Sequence, residues 1–478
     1  MRAAGVTSRI PCLPPGFLTS VGGHDPEVRT PSSRRIVRAM NRNPGPRRGD
    51  AGLTQDEAAE LAARRARMLD ALAGRAALLL PAAPAAWPGR EGEDRYRPDR
   101  ELYYATGWRA PGAAALLEPS DGDAPYRLYV AERDAEEERW HGGRAGPAEA
   151  ESYGADATAA LSSLGADLRA ALARIDTLYY RLGTHADLDR EVIEALAETR
   201  RTRRRTGRGL ASIIDPGLLL DPLRRVKSPA EIESIRAAAA IPVEAFREAA
   251  ASIAPGAGEW EVEAALESGF RRRGADGPAF GTIVASGANA VVLHYTRNDA
   301  RMQPGFVLLD AGAQVDLYAA DVSRTYAVGA EVSGPAAELH EVVRRAQEAA
   351  LAACVPGGSE AAVHDAARAV LVEGATGLGL LPEGAADEEA VKDLVPHRTS
   401  HWLGLSVHDP GDYATPDGPV ALEPGMVLTV EPGLYVRPDH PSAHAELRGV
   451  GVRIEDDVVV TASAPDVLTA SLPRGQAP

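Results

Sequence analysis

The sequence predicts an α/β domain followed by an α+β domain. Its 478 residues suffice for two or three domains with a sizeable core. Strand-like and helical patterns alternate between residues 54 and 200, which is typical of an α/β domain. From residue 229 onward, long helical patterns stand beside runs of successive strands, and that segregation indicates an α+β domain. We therefore expect domains at 54–200 and 229–463, a linker at 201–228 and a tail at 464–478.

Residues 1–53 are predicted to be a disordered leader. Pro, Gly and Arg are scattered through them without sustained apolar periodicity, so they offer little apolar surface to bury. An organelle transit peptide would need an amphipathic helical pattern, and a signal peptide would need the apolar run that Pro11, Pro14 and Pro15 interrupt. Because Met40 offers a later start, we leave the leader out of the predicted fold.

The α/β domain begins at Thr54, where the sequence Thr-Gln-Asp-Glu predicts a capped helix that extends to about Leu72. A second helical pattern covers residues 155–173. Strand-like apolar segments lie at residues 76–80, 113–117, 126–131 and 177–182. The domain ends at a run of arginines between Arg200 and Arg208. This run has no interleaved aromatic residues, so we interpret it as an exposed helix end and linker rather than a nucleic-acid surface.

The α+β domain begins at Ser228, because Ser-Pro-Ala-Glu places a cap, a first-turn proline and a third-position glutamate before a long helical pattern. Further helices are predicted at residues 259–273, 335–354 and 360–374. Strands are predicted at residues 282–285, 290–294, 305–311 and 317–327. The remaining strands follow the last helix.

Charge and cysteine content exclude several classes of protein. A formal net charge of −16 argues against affinity of the whole protein for nucleic acid or an anionic membrane. The longest apolar stretch, residues 76–88, is interrupted by Pro81 and Pro84 and is too short to span a bilayer. The two cysteines, Cys12 and Cys354, do not make a disulfide framework, so a reducing cytoplasm suits the chain.

Five residues in the C-terminal half are candidate metal ligands: Asp310, Asp321, His401, Glu431 and Glu455. Each lies in an apolar, strand-like context, where a carboxylate is costly unless a cation neutralises it. Alternation places Asp310 on the same strand face as its apolar neighbours, and a short turn brings Asp321 across a β-hairpin from it. One aspartate alone is usually a turn or cap residue, but two on paired apolar strands indicate a dinuclear metal site.

His401 belongs to the densest histidine cluster of the chain, together with His397 and His408. A lone histidine is more often a structural or surface residue than a ligand, and three within twelve residues weaken that alternative. Glu455 shares a strand face with Arg453, which is predicted to orient a carboxylate ligand. For this segment taken alone, a surface ion pair is the alternative.

These residues carry a resemblance to a known family. The motifs are HYTRND at 294–299, the hairpin of the two aspartates, SHWLGL at 400–405, VHD at 407–409, EPGLY at 431–435 and RIED at 453–456. In this order they resemble the Xaa-Pro aminopeptidases, also called aminopeptidases P, of metallopeptidase family M24. YRPD at 96–99 and YATGW at 104–108 are similar to that family's N-terminal domain. The resemblance covers roughly residues 55 to 463.

The resemblance implies a creatinase-like N-terminal α/β domain and a catalytic α+β domain of the pita-bread fold. It also implies two divalent metal ions, most commonly Mn²⁺, with Asp310 on one ion, Asp321 and Glu455 bridging, and His401 with Glu431 on the other. Oxygen-rich ligands with one imidazole favour Mn²⁺, with Co²⁺, Fe²⁺, Zn²⁺ and Mg²⁺ as alternatives. Two cations that share a water lower its pKa and yield a bridging hydroxide nucleophile.

Roles beyond metal binding follow from the same resemblance. His294, His397, His408 and Arg453 are expected around the substrate, with His408 as donor to the oxyanion and Glu431 as proton shuttle. The expected substrate is a peptide with proline in second position, and a homodimer or homotetramer is expected. Arg398-Thr399 replaces the commoner Gly-Leu of the family, and Ser406 and Pro410 also depart from its pattern.

Several related activities remain as alternatives. Xaa-Pro dipeptidase shares the fold and the ligand set but cleaves only dipeptides. Methionine aminopeptidase shares the ligands but lacks both the large N-terminal domain and the histidine-rich segment. Metal-free pita-bread proteins, which include creatinase and non-catalytic binding proteins, lack the five ligands that this sequence retains.

Overall fold

The computed structural model describes residues 53–84, 96–384 and 388–477. Residues 1–52 of the predicted leader lie outside the described residues. The helix predicted from Thr54 is confirmed as α1 (Gln55–Ala71). The Thr54 side chain accepts a hydrogen bond from the Glu57 amide, and the Glu57 carboxylate accepts one from the Thr54 amide, so the capping box satisfies two donors at the helix start.

A six-stranded mixed sheet forms the core of the N-terminal part, with strand order β4-β3-β2-β1-β5-β6. Its strands are β1 (Ala76–Pro81), β2 (Ala113–Leu117), β3 (Tyr126–Val130), β4 (Ala157–Ala160), β5 (Thr177–Tyr179) and β6 (Ser212–Ile214). The antiparallel pairs are β1 with β2 and β2 with β3, while the other pairs are parallel. Apolar residues fill both faces of β1 and β2, since helices cover the sheet on its two sides.

Six further helices follow α1 in the described residues of this part, and the sequence analysis predicted only one of them, at 155–173. They are α2 (Arg100–Thr106), α3 (Ala135–His141), α4 (Pro147–Ala150), α5 (Leu164–Arg174), α6 (Ala186–Thr206) and α7 (Gly217–Arg225). The helix predicted at 155–173 is wrong in its first part, where β4 pairs with β3 instead. Alanine favours helices, but hydrogen bonds to a neighbouring strand override that preference.

The arginine run lies at the C-terminal end of α6, where most of its side chains are exposed. That placement fits an exposed helix end better than a binding groove. The stretch 201–228, predicted as a linker, contains the end of α6, β6 and α7, so it contributes a strand to the N-terminal sheet. The domain boundaries themselves stay a prediction.

The C-terminal part consists of long helices around short antiparallel sheets. Its helices are α8 (Pro229–Ala249), α9 (Glu259–Arg272), α10 (Pro335–Ala353), α11 (Glu360–Gly377) and α12 (Glu388–Leu394). Its strands are β7 (Gly277–Pro278), β8 (Ile283–Ser286), β9 (Gly305–Asp310), β10 (Ala313–Val315), β11 (Tyr318–Ala319), β12 (Ser323–Val328), β13 (Ala414–Thr415), β14 (Gly418–Pro419), β15 (Val427–Val430), β16 (Gly433–Val436), β17 (Val450–Arg453), β18 (Asp456–Val459) and β19 (Asp466–Val467). Side chains of α8 and α9 pack against β9 and β12, whereas α10 and α11 pack against β15 to β18.

One predicted strand of this part is absent from the described residues. Residues 290–294 were predicted as a strand, but residues 287–291 form a 3₁₀ helix and a turn follows at His294. Gly287, at φ +53°, bends the chain directly after β8, and the Gly-Ala-Asn sequence suits such a bend. This turn brings His294 to the surface.

The predicted hairpin of the two aspartates is confirmed. Asp310 pairs with Ser323, and the same register continues to the β10–β11 pair, which places Gly312 opposite Asp321. Both aspartates therefore lie on one face of the hairpin as diagonal neighbours. The hairpin tip packs into the N-terminal domain, where Leu317 and Tyr318 join the apolar cluster of α1 and β1. Among the helices described, none is long and apolar enough to cross a bilayer.

Candidate metal centre

The five predicted ligands come together where several strands end. Asp310 is the last residue of β9, Glu431 directly follows β15, and Glu455 lies between β17 and β18. Asp321 lies between β11 and β12. His401 is held beside β15, because its carbonyl accepts from the Thr429 amide at 2.9 Å.

Distances within the group are those of a shared cation site. The Nε2 atom of His401 lies 3.5 Å from Oδ2 of Asp321 and 3.6 Å from Oε1 of Glu431. One ligand atom each from Asp321, His401 and Glu455 lies within 4.8 Å of the other two. A single ion placed among these three atoms can therefore reach all of them.

Asp310 is fixed by Arg453, whose Nη2 donates to Oδ2 of Asp310 at 2.7 Å. The same guanidinium donates from Nε to Ser323 Oγ at 2.9 Å and from Nη1 to Tyr435 Oη at 2.8 Å. Ser323 Oγ in turn donates to Oε2 of Glu455 at 2.9 Å. One planar cation thus sets the positions of two acids on different strands.

Several carboxylates are buried together in this centre, so it is electrostatically unfavourable for all of them to be ionised at once. Burial, followed by the charges of Asp310, Asp457 and Glu431, raises the pKa of Asp321 well above its ordinary value. Burial and the charge of Asp321 do the same to the pKa of Glu455. Burial also raises the pKa of Glu431 to about 7. Divalent cations would remove this cost by neutralising the charges.

The ligand atoms that have no protein partner are also suited to bind divalent cations. Among the described residues, Oδ1 of Asp310 and Oδ1 of Asp321 are buried without a hydrogen-bond partner. His401 has Nδ1 3.1 Å from the carbonyl oxygen of Trp402, which places the ring proton on Nδ1 and leaves the Nε2 lone pair for an ion. Four carboxylates and one imidazole form a donor set for hard or borderline divalent cations.

The three other predicted histidines differ in their surroundings. The ring of His408 meets the ring of His401 edge to face, with centroids 4.4 Å apart. His397 has Nδ1 2.7 Å from the Arg398 carbonyl oxygen and Nε2 2.8 Å from Tyr435 Oη. His294 is exposed on its turn. Burial lowers the pKa of His397 to about 4 and also lowers the pKa of His408, so both rings are neutral at pH 7.

Sequence reasoning missed several polar residues of this centre. Ser323 and Tyr435 complete the Arg453 network, and Asp457 accepts the backbone amide of Asp321 at 3.2 Å. Ser323 follows Asp321 by two positions, so alternation could have placed it on the ligand face. Tyr435 ends the EPGLY motif, but its partners lie 18 and 38 residues away and leave no local signal.

Comparisons with known proteins agree with the geometry. The model of metallopeptidase family M24 matches residues 233–462, and the model of the aminopeptidase P N-terminal domain matches residues 61–179. The Xaa-Pro aminopeptidase of Escherichia coli is 36% identical over 420 residues, which cover 86% of this chain and 95% of the relative. Human Xaa-Pro aminopeptidase 3 is 32% identical over 391 residues, which cover 79% of this chain and 75% of the relative.

Solved structures extend the likeness to the whole fold. An aminopeptidase of Pseudomonas aeruginosa superposes with a TM-score of 0.82 at 38% identity, covering 88% of this chain and 96% of that one. Proline aminopeptidase P II from Yersinia pestis gives the same TM-score at 34% identity, covering 88% and 97%. The predicted fold class, an aminopeptidase P N-terminal domain followed by a pita-bread domain, is therefore confirmed. The chain belongs to metallopeptidase family M24, within its Xaa-Pro aminopeptidases.

Proposed function

We propose that this protein hydrolyses the first peptide bond of peptides with proline in second position and releases the N-terminal residue. The observation that carries the proposal is the close approach of Asp321, His401 and Glu455, with Glu431 3.6 Å from His401. One buried oxygen each of Asp310 and Asp321 has no protein partner and is available to an ion. The chain's 36% identity to an Xaa-Pro aminopeptidase supplies the substrate class.

We assign the metal ligands as the sequence predicted. Asp310 would serve one ion, Asp321 and Glu455 would bridge both, and His401 with Glu431 would complete the other. The short separations of His401 from both Asp321 and Glu431 support their sharing of one ion. Arg453 holds only Oδ2 of Asp310, so Oδ1 of that residue is available to an ion.

A pair of divalent ions would supply an acidified water and polarise the scissile carbonyl. Glu431 is positioned to move a proton, since its two oxygens lie 3.6 Å from His401 Nε2 and 3.6 Å from His397 Nδ1. His408 is neutral beside His401 and can donate one N–H to the developing oxyanion.

The exposure of His294, His397 and Arg453 distinguishes the residue that can contact the substrate from those that position their neighbours. His294 is exposed on its turn and is free to contact the peptide. The guanidinium of Arg453 has protein partners at all three nitrogens, and its side chain is only 5% exposed. This favours the predicted orienting role of Arg453 over direct substrate contact. His397 likewise has protein partners at both ring nitrogens. We therefore assign it a role in positioning its neighbours rather than in direct contact with the substrate.

We propose Mn²⁺ as the native ion, because the four carboxylates favour a hard cation and the single imidazole is compatible with Mn²⁺. A homodimer or homotetramer and a cytoplasmic location complete the proposal, as the resemblance and the low cysteine count predict. Light scattering tests the assembly, and metal analysis of protein purified without added ions tests the metal.

The decisive test is a peptide-length series on the purified enzyme with Mn²⁺. We expect release of the first residue from Xaa-Pro-Yaa and longer peptides, and no release when alanine replaces proline. Cleavage of Xaa-Pro dipeptides alone would instead establish the dipeptidase alternative. Asp321→Ala should abolish turnover and reduce the bound metal, because it removes a bridging ligand. Asp123→Ala, a change at an exposed turn of the N-terminal domain, is the matched control and should change neither.

If Asp321→Ala retains the full activity and metal content of the wild type, the metallopeptidase assignment is wrong. A wild-type protein that binds no divalent ion and cleaves no peptide would instead support a binding role without catalysis.

A further inference from the structure

We propose that Asp409 is a positioning residue for His408, and that the buried cations of Arg224 and Lys227 hold Asp409 in place. This inference rests on the proposed function, because it assigns a reason for the position of a predicted oxyanion donor. Asp409 follows His408 directly in the chain, and its carboxylate lies inside the loop that joins His401 to His408.

Hydrogen bonds within this loop converge on Asp409. Its Oδ1 accepts the amide of Ser406 at 3.1 Å, and its own amide donates to the carbonyl of Trp402 at 2.9 Å. A Cβ at Gly404 would lie 2.8 Å from the Asp409 carboxyl carbon, so the loop closes around the carboxylate as tightly as glycine allows. The backbone beside both histidines is therefore ordered around one buried anion.

Two cations from outside the loop neutralise that anion. Arg224 Nη2 lies 2.6 Å from Oδ1 of Asp409, and Lys227 Nζ lies 3.3 Å from Oδ2. All three side chains are at most 4% exposed, so none of these charges is screened by water. Arg224 lies on α7, which follows the last strand of the N-terminal sheet, and Lys227 directly precedes the cap of α8, the first helix of the C-terminal part.

The outer side of the same loop is also tied down. Arg100 of α2 donates from Nε to the carbonyl oxygen of Leu405 at 2.6 Å. The amide of Ala319, on the hairpin that carries Asp321, donates to the carbonyl of Gly404 at 2.8 Å. The loop thus joins the N-terminal domain to the metal-bearing hairpin, and Asp409 determines its internal shape.

The consequence for chemistry lies in the orientation of His408. Its ring meets that of His401 at an interplanar angle of 75°, and a shift of the backbone at Asp409 would move this ring away from the scissile carbonyl. Displacement of a catalytic group by about 1 Å can lower the rate on the order of 100-fold. Loss of the hydrogen bonds and ion pairs of Asp409 should therefore reduce kcat. His401 should keep its place, because the Thr429 amide of β15 donates to its carbonyl at 2.9 Å.

Asp409→Asn and Lys227→Met test the proposal, with Glu118→Gln as the matched control. Glu118 is also a buried carboxylate paired with an arginine, Arg174, but it lies in the N-terminal domain away from the loop. Lys227→Met leaves only the Arg224–Asp409 pair buried, and this pair is neutral overall. This variant therefore still tests the proposal if Asp409→Asn fails to fold. Lys227→Arg restores a cation.

Two measurements are made on each variant: steady-state kinetics with bound-metal analysis, and hydrogen–deuterium exchange of the peptide that contains residues 402–409. We expect Asp409→Asn to lower kcat by about 10- to 100-fold with KM changed less than about threefold and the metal retained. Lys227→Met should lower kcat several-fold, and Lys227→Arg should restore most of it. Residues 402–409 should exchange faster in Asp409→Asn and Lys227→Met but not in Glu118→Gln.

Unchanged exchange of this peptide in both Asp409→Asn and Lys227→Met would overturn the positioning role. The role would also be overturned if kcat fell in proportion to lost metal, or fell equally in Glu118→Gln. Exchange is measured without substrate, so it is independent of the proposed activity. A wild-type enzyme inactive on Xaa-Pro-Yaa would count against the proposed function and not against the ordering of this loop.

Discussion

Replacement of Gly312 by alanine should open the hairpin that carries both aspartates. Gly312 lies opposite Asp321 in the hairpin register. A Cβ at this position would overlap the carbonyl oxygen of Ala320 and lie 2.6 Å from its carbonyl carbon. These are backbone atoms of the facing arm, so rotation of a side chain cannot relieve the overlap. The two arms must separate instead.

The size of the effect follows from the hydrogen bonds that this separation breaks. Carbon atoms pack at about 3.5–4.0 Å, so the arms must separate by roughly 1 Å. A movement of that size breaks the hydrogen bond from the Ala320 amide to the Ala313 carbonyl and weakens that from Ala311 to Val322. At about 1 kcal/mol for each hydrogen bond, plus about 1–3 kcal/mol for overpacking, we expect a loss of about 3–5 kcal/mol in unfolding free energy.

Metal binding and activity should decrease together with stability, because Gly312 is two residues from Asp310 and lies opposite Asp321. A displacement of about 1 Å at these ligands should weaken metal binding and lower kcat on the order of 100-fold. Urea unfolding measures the stability, metal titration measures the affinity for the ion, and peptide hydrolysis measures kcat. Gly277→Ala is the control, since it lies on the strand paired with β10 and a Cβ there would meet no atom within 4 Å.

A Gly312→Ala protein with wild-type stability and metal affinity would refute the geometry of the hairpin. Equal losses in Gly277→Ala and Gly312→Ala would show that glycine flexibility, and not the overlap with Ala320, decides the outcome.

Two further predictions concern the protons of the centre. Tyr435→Phe removes the hydroxyl between Arg453 Nη1 and His397 Nε2, so we expect a loss of about 1–3 kcal/mol in stability and about tenfold in kcat, and unchanged kcat would contradict the network. Mn²⁺ added to metal-free protein at pH 6 should displace protons, because the folded-state pKa values of Glu431, Asp321 and Glu455 are all raised. Calorimetry in two buffers of different ionisation enthalpy measures this release, and a heat independent of the buffer would contradict it. By the same sign, Glu431 contributes stability to the metal-free fold that is present below about pH 4.5 and is lost as pH rises to about 7.

Much of the fold was predictable because its signals are local. Thr54 and Ser228 cap helices through residues three positions away, and both capping boxes are present. The strands at residues 76–81 and 113–117 are apolar throughout, and burial of both faces requires that composition. The two failures have different causes. β4 is an alanine-rich segment held extended by pairing with β3, which its own sequence does not reveal, and Gly287 bends the chain locally where a strand was predicted.

The sequence by itself determined which residue types stand at the ends of the apolar strands, and hence the candidate ligands and the family they resemble. Only the tertiary structure decided how those residues are held. Arg453 reaches Asp310 across 143 positions of sequence, and Arg224 reaches Asp409 across 185. The physical reason is that burial makes an unpaired charge costly, so each buried carboxylate needs a counter-charge, but packing alone determines which distant cation supplies it.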